Sequence, residues 1–409
     1  MGKAAEPAGA GACQVSERRE VWITGVGLLT CLGEGIEATW NFFERGEAPR
    51  YDDKNFAPYI VHALAPVNFD KQIPKKGDQR QMETWQRLGV YAAGLALDDA
   101  GIAGQADLLD RTDMIVAAIG GERDVPADSG ILAGARKAAA ADVFLNERLM
   151  NDLRPTLFLA QLPNLLAGNI SIVHGVVGAS RTLLGEESAG VDAVRIAQAR
   201  VAAGQSELTL VGGAAHGARW DQLLNFELGG APLKERFAPV WDRGPQGGVA
   251  LASMAAFLVL ESGEHARSRG ARAHARIRAV CSDRNRRHEG EIEATLGREF
   301  DAITAQLDRT HAAVISGASG LEPATAAERR ALGKFGLPVR NTGTYIGHGI
   351  EAQFPANLAI GCAALEHGKL FAATGRGDTG ESPPSLCQLV VTSVGAWRGE
   401  GLALLERAE

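Results

Sequence analysis

The stretch TLLGEESAGVDAVRIAQARVAAGQSELTLVGGAA, Thr182 to Ala215, changes its hydrophobic period twice. Gly185 marks a turn, a helix-period run follows from about Ser188 to Ala203, and Gly204 ends it. The segment ELTLVGGAA, Glu207 to Ala215, then reads as a buried strand because it is continuously apolar or small over a strand's length. Turn, helix and strand in this order form a βαβ-like unit, which requires a mostly parallel sheet covered by helices on both faces. Two carboxylates, Glu186 and Glu187, stand at the turn, where many α/β enzymes place a nucleophile.

The same grammar extends in both directions. EVWITGVGLLTCLG, from Glu20, is a buried strand running into glycine, and GIEATWNFFERGE sets Ile36, Trp40 and Phe43 on one helical face. METWQRLGVYAAGLALDDAGI is a second amphipathic helix and TDMIVAAIGG the next strand, followed by a weakly patterned stretch to about Asp152. Further on, ARAHARIRAV and AAVISGASG read as strands, ATLGREFDAITAQLDRTH as a helix, and PVRNTGTYIGHGIEAQFPANLAIGCAALEHG as a glycine turn feeding a long helix. SLCQLVVTSVGAWRGEGLALLER closes with two strands joined by a glycine-containing turn. A polar residue stands at a turn-to-helix junction in each half, Glu187 and His348, which is the layout of an internally duplicated fold. The expected division is a disordered Ala/Gly-rich tail at 1–19, a first half at 20–261 and a second at 262–409.

Composition narrows the function classes. The 409 residues are 45% hydrophobic and include 50 glycines, as expected of an α/β protein rich in tight turns. A formal net charge of −7 argues against a nucleic-acid partner, which would call for a basic face. The longest apolar runs stop short of the ~18–20 residues a membrane span requires, so no membrane insertion is expected. Cys13, Cys31, Cys281, Cys362 and Cys387 show no metal-ligand spacing and read as reduced thiols of a cytoplasmic protein without a metal.

The motifs in this order resemble a β-ketoacyl-acyl-carrier-protein synthase of the thiolase superfamily, from Val21 to Leu405. VWITGVGLLTCLGEGIEATWNFFERGE is similar to the family's opening strand, turn and helix, and LLAGNISIVHGVVGAS to the segment before its nucleophile. SELTLVGGAA and FLVLESGEHARSRGARAHARI follow in the family's order, and GHGIEAQFPANLAIGCAALEHG resembles its histidine-bearing helix. The resemblance implies a thiolase-like α/β fold: two pseudo-symmetric βαβαβαββ halves in five layers, αβαβα, with two mixed sheets. It also implies acyl groups presented as phosphopantetheine thioesters on acyl carrier protein, with no other cofactor.

The family's chemistry uses a cysteine whose thiolate is favoured at a helix N-terminus, two histidines that stabilise an enolate, and a supporting lysine. Carried over by position, the cysteine falls on Glu187, the first histidine on Ser316, the lysine on Gly343 and the second histidine on His348. The family's gating loop appears as SVGAWRGEG, with Val394, Ala396, Trp397 and Arg398, and the larger side chains should narrow this subunit's own access route. Such a degenerate member resembles a chain-length-factor subunit, which pairs with an active synthase.

Three functions follow as expectations. The first is a condensing-incompetent partner that shapes the acyl pocket of a heterodimer. The second is an unaided 3-oxoacyl-acyl-carrier-protein synthase or malonyl decarboxylase with an atypical site; heterodimer and homodimer both stay open. The third is a non-catalytic acyl-binding or scaffold protein. Glu187 is either a helix cap alone or a cap in contact with His348 or Arg398, and a one-residue slip would put Ser188 at the elbow. His348 is either a structural relic or an acid–base group. His62, His174, His216, His288 and His311 read as surface or packing residues, and RNRRHEGE, from Arg284, as a solvated loop or a carrier-protein contact. Glu207–Ala215 is expected to be the sheet's apolar edge strand, through which dimers would form.

Overall fold

The computed structural model describes residues 14–15, 19–153, 157–245 and 247–408. Its frame is ten strands: β1 (Val21–Thr30), β2 (Thr112–Ala117), β3 (Ser180–Leu183), β4 (Leu208–His216), β5 (Leu251–Ser262), β6 (Ala275–Asp283), β7 (Ala312–Ser316), β8 (Val339–Asn341), β9 (Gln388–Val394) and β10 (Glu400–Arg407). They hydrogen-bond in the order β8-β7-β9-β10-β6-β1-β5-β4-β2-β3. Outward from the middle, β1-β5-β4-β2-β3 and β6-β10-β9-β7-β8 follow one path, and in each half the fifth strand alone runs opposite to the other four. The expected duplication is thus present in strand order and direction. The expected two mixed sheets are not separate, because Trp22↔Arg276 and Ile23↔Ala275 pair β1 with β6 and make one continuous sheet.

Ten helices flank these strands: α1 (Ile36–Glu44), α2 (Thr84–Asp99), α3 (Val125–Ala135), α4 (Ala141–Asp152), α5 (Leu165–His174), α6 (Glu186–Ala202), α7 (Trp220–Leu228), α8 (Glu291–Thr304), α9 (Ala324–Phe335) and α10 (Gln353–His367). The period-2 geometry of the strands sorts their side chains into layers. Ile115, Ala117, Val211 and Leu258 from one half join Ile315, Val391, Ala403 and Leu405 from the other in a core around α6 and α10. The alternate residues Met114, Val116, Leu210 and Phe257 turn to α2 and α5, whereas Val314, Val390, Leu402 and Leu404 turn to α8 and α9. That produces helix, sheet, helix, sheet, helix. As a helix sandwiched on both sides must be, α10 is apolar nearly all round, and it is buried from Gln353 to Leu365. Close approach sets some residues: a Cβ at Gly27 would sit 1.9 Å from the Ala92 carbonyl oxygen, so only glycine lets α2 rest on β1.

Three expectations are corrected. Glu207–Ala215 is not an edge, because β4 lies between β2 and β5; its unbroken apolar run reflects neighbours on both sides. The edge is β3, four residues long, with Ser180 and Arg181 exposed. Cys281 is disulfide-bonded rather than reduced, whereas Cys31, Cys362 and Cys387 are free thiols; wide sequence spacing says nothing about which cysteines a fold juxtaposes. From the expected tail, Gln14 and Val15 pair with Val280 and Ala279, and the rest of 1–18 lies outside the described residues. Among the described residues no helix is long and apolar enough to cross a membrane, and no group of three metal-ligating side chains occurs.

Candidate functional site

The chain leaves β3 through Gly185, at φ 146°, and Glu186, at φ 52°, and then enters α6. A left-handed backbone at a non-glycine residue costs about 1–2 kcal/mol, so the surroundings have to hold it. Arg398 does so from outside: its Nε and Nη2 donate to the two carboxylate oxygens of Glu186 at 2.9 and 3.0 Å. The elbow conformation turns Glu187 inward, to 2% exposure.

There the Glu187 Oε1 accepts from His348 Nε2 at 2.8 Å and from the Ala396 backbone N–H at 3.0 Å. Burial pushes its carboxyl up, but His348 and the backbone N–H groups of Glu187 and Ala396 outweigh burial and hold it below the ordinary glutamate value. An ionised carboxylate only accepts, so Nε2 is the protonated ring nitrogen. His348 is fixed through its backbone: its N–H donates to Ala250 and its carbonyl accepts from Ala252, near another left-handed residue, Ile350 at φ 48°. Of the two expected contacts of Glu187, the structure makes the one with His348; Arg398 pairs with Glu186 instead.

The loop from Val394 to Gly399 closes the elbow. A Cβ at Gly395 would come within 3.2 Å of Glu187 Oε2, and one at Gly399 within 2.6 Å of Ser188 Cβ. Arg287 clamps this loop, donating from Nη2 to Gly395 O at 2.8 Å and from Nε to Trp397 O at 3.2 Å, while its Nη1 pairs with Glu400 at 2.5 Å. Burial lifts the Glu400 carboxyl to about 7 despite that arginine. Arg287 belongs to RNRRHEGE, so part of the expected solvated loop is an internal clamp. Trp397 turns away from the elbow and packs on Phe226, with ring centroids 4.8 Å apart; Val394 is core.

Ser316 and Gly343 form a separate group. The Ser316 hydroxyl donates to Glu328 Oε1 at 2.7 Å, which also accepts from Thr392 Oγ1 at 2.6 Å, and burial pushes the Glu328 carboxyl up. A Cβ at Gly343 would meet the Ala318 oxygen and the Val240 methyl at 3.2 Å, so a side chain there would have to push these neighbours aside. Asn341 ties the two together, donating to Ser316 O at 3.3 Å and accepting from Thr344 N at 3.2 Å.

The remaining nucleophile candidates are occupied or neutral. Ser188 Oγ donates to Gly185 O at 2.7 Å. Cys31 Sγ lies 3.7 Å from His62 Nδ1, but burial lifts the thiol to about 12 and lowers the imidazole to about 3, so no thiolate–imidazolium pair forms. Beyond the elbow, a cavity of about 610 Å³ opens between α3, α7 and the segment after β2, lined by Ile119, Val125, Leu132, Arg219, Trp220 and Leu224. Sequence reasoning did not single out Arg287, Glu328, Asn341 or this cavity. Nothing in RNRRHEGE marks Arg287 as the arginine that turns inward.

The model for the N-terminal domain of β-ketoacyl synthases matches residues 18–266. The chain belongs to the β-ketoacyl synthase family. It is 27% identical over 270 residues to 3-oxoacyl-[acyl-carrier-protein] synthase 2 of Vibrio harveyi, a match covering 64% of this chain and 62% of that enzyme's length. The oxytetracycline polyketide putative β-ketoacyl synthase 1 of Streptomyces rimosus is 24% identical over 376 residues, 87% of each chain. A β-ketoacyl synthase structure from Burkholderia phymatum superposes with a TM-score of 0.79, at 21% identity over 96% of this chain and all of that one. The ishigamide ketosynthase/chain length factor structure gives 0.77 at 22% identity, with the same coverage. These two likenesses establish the thiolase-like ketosynthase fold.

Proposed function

We propose that this chain is a condensing-incompetent partner subunit of fatty-acid or polyketide synthesis, paired as a heterodimer with an active ketosynthase whose acyl pocket it helps to shape. The observation that carries this is the state of Glu187. At the position that the resemblance aligns with the family's nucleophile stands a buried carboxylate, held below the ordinary glutamate value by its bonds to His348 and to the loop at Ala396. Acyl transfer from a thioester to a carboxylate would give a mixed anhydride, which is uphill, and Glu187 is only 2% exposed. Ser316 and Gly343 supply neither the imidazole nor the ammonium that an enolate would need.

The partner role is supported by what the fold leaves uncovered. The edge strand β3 presents unpaired backbone groups, and Leu132, Phe158, Leu159, Leu184 and Leu228 are exposed on segments around it and the cavity. Ala118, which donates to Leu183 on β3, directly precedes the cavity residue Ile119, so the edge and the cavity mouth adjoin. An acyl chain entering this cavity would come from a partner across the edge, carried as a phosphopantetheine thioester of acyl carrier protein. Co-expression with an intact Cys-His-His synthase tests the proposal: it expects a one-to-one complex by native mass spectrometry, whereas a homodimer that ignores the synthase opposes it.

A further inference from the structure

Glu351 is a buried acid that the elbow chemistry leaves unused. It sits in the short turn Ile350–Ala352, is 1% exposed, and accepts from the Ile119 backbone N–H at 2.6 Å through Oε1. Its Oε2 has no hydrogen-bond partner among the described residues. An unpaired buried oxygen of this kind costs stability.

Its neighbours place it between the elbow helix and the cavity. On one side lies the elbow helix α6: a Cβ at Gly190 would fall 2.3 Å from the Glu351 carbonyl oxygen, and Gly190 shares a helical face with Glu187, three residues earlier. On the other side lies the cavity, through Ile119, whose N–H the carboxyl holds, and Arg219, both of which line it. Electrostatics place it in the same way: burial raises its carboxyl to about 8, the charge on Glu187 adds to the rise, and Arg219 opposes it.

We propose that Glu351 is the partition between the elbow and the cavity, its side chain closing the passage that would otherwise join Glu187 to the space at Ile119, so that it sets how far an acyl chain in the cavity reaches. The consequence for product length rests on the partner-subunit reading; the partition is a property of this chain alone. The ligand is an aliphatic acyl chain, whose tail fits the apolar wall at Ile119, Val125, Leu132 and Leu224, while Arg123, Asp128 and Asp221 make up part of the polar remainder of the lining.

The test uses the purified full chain and a homologous series of saturated fatty acids from hexanoate to palmitate, measured by calorimetry. In the native protein affinity should stop rising once the cavity is filled. In Glu351→Ala the rise should continue through several further carbons, by about fourfold per added methylene, which is what about 0.8 kcal/mol per buried CH₂ gives. Only in that variant should the longer acids shift the His348 ring resonances in NMR. Glu351→Gln keeps the bulk and the acceptor, and should plateau like the native chain. Glu351→Ser replaces the alanine variant if that one fails to fold. Equal profiles in all proteins, including no binding by any of them, overturn the proposal, and so does a lengthened profile in Glu351→Gln. Because no synthase is present, failure here leaves the heterodimer reading to its own experiment.

Discussion

Glu187 and His348 meet at 2.8 Å with both side chains withdrawn from water, joining the turn-to-helix junctions of the two halves of the fold. Removing one member of a buried hydrogen-bonded pair strands the other. Glu187→Ala is therefore expected to lower the free energy of unfolding by about 3 kcal/mol, and Glu187→Gln, which can still accept from Nε2, by about half as much or less. Urea denaturation measures both. Equal, small losses would make Glu187 a cap and nothing more.

A second buried histidine is expected to contribute to the pH dependence of stability. His274 is held between Asp99 at 2.7 Å and Glu366 at 2.5 Å, and these carboxylates overcome burial to raise its imidazole to about 9. A folded value above the unfolded ~6.5 adds stability that is complete below about pH 6.5 and is lost as pH rises through about 9, on the order of 3 kcal/mol in all. His274→Gln should flatten the fall in melting temperature between neutral pH and that value. A native protein whose stability stays level across this range contradicts the assignment.

Arg287 is expected to hold the closed state of the loop at 395–399. Arg287→Ala frees the carbonyls of Gly395 and Trp397 and leaves the Glu400 acid without its cation, so amide exchange at Ala396 should quicken by about tenfold or more as local opening becomes easier. Exchange at native rates would assign the closure to Arg398 and Glu186 alone.

Incubation with an acyl thioester should leave the chain's mass unchanged, since Ser188 donates to Gly185 and the Cys31 thiol is neutral. A stable adduct on Ser188, Glu187 or Cys31 in peptide mapping would restore a covalent role to this subunit.

Sequence periodicity reached the strand–turn–helix order and set Glu187 and His348 at matching junctions of the two halves, but it left a cap alone, a contact with His348 and a contact with Arg398 open, and the structure chose the one with His348. α6 was expected from about Ser188 to Ala203 and runs Glu186–Ala202, since glycines bound it on both sides. What stayed hidden depends on tertiary neighbours. Whether ELTLVGGAA is central or an edge is not written in its residues; a strand apolar on both faces is covered on both, and the partner strands decide the rest. RNRRHEGE reads as solvated because a basic loop carries no sign that one guanidinium turns inward onto carbonyls. α3 and α4 were read as weakly patterned, and Leu132, Val143, Leu149 and Met150 are exposed on them, so their apolar residues do not all face this chain's own core. Glu351 lies in a helix-period segment, where nothing marks an acid as buried.

The central claim is that this subunit shapes an acyl pocket without doing the chemistry, and product length in a reconstituted heterodimer measures it most directly. With an intact synthase, acyl carrier protein and malonyl donor, Leu132→Trp in this chain narrows the cavity and should shorten the released acyl chain while the synthase still turns over. Products of unchanged length, or equal turnover by the synthase with this chain left out, would contradict the account.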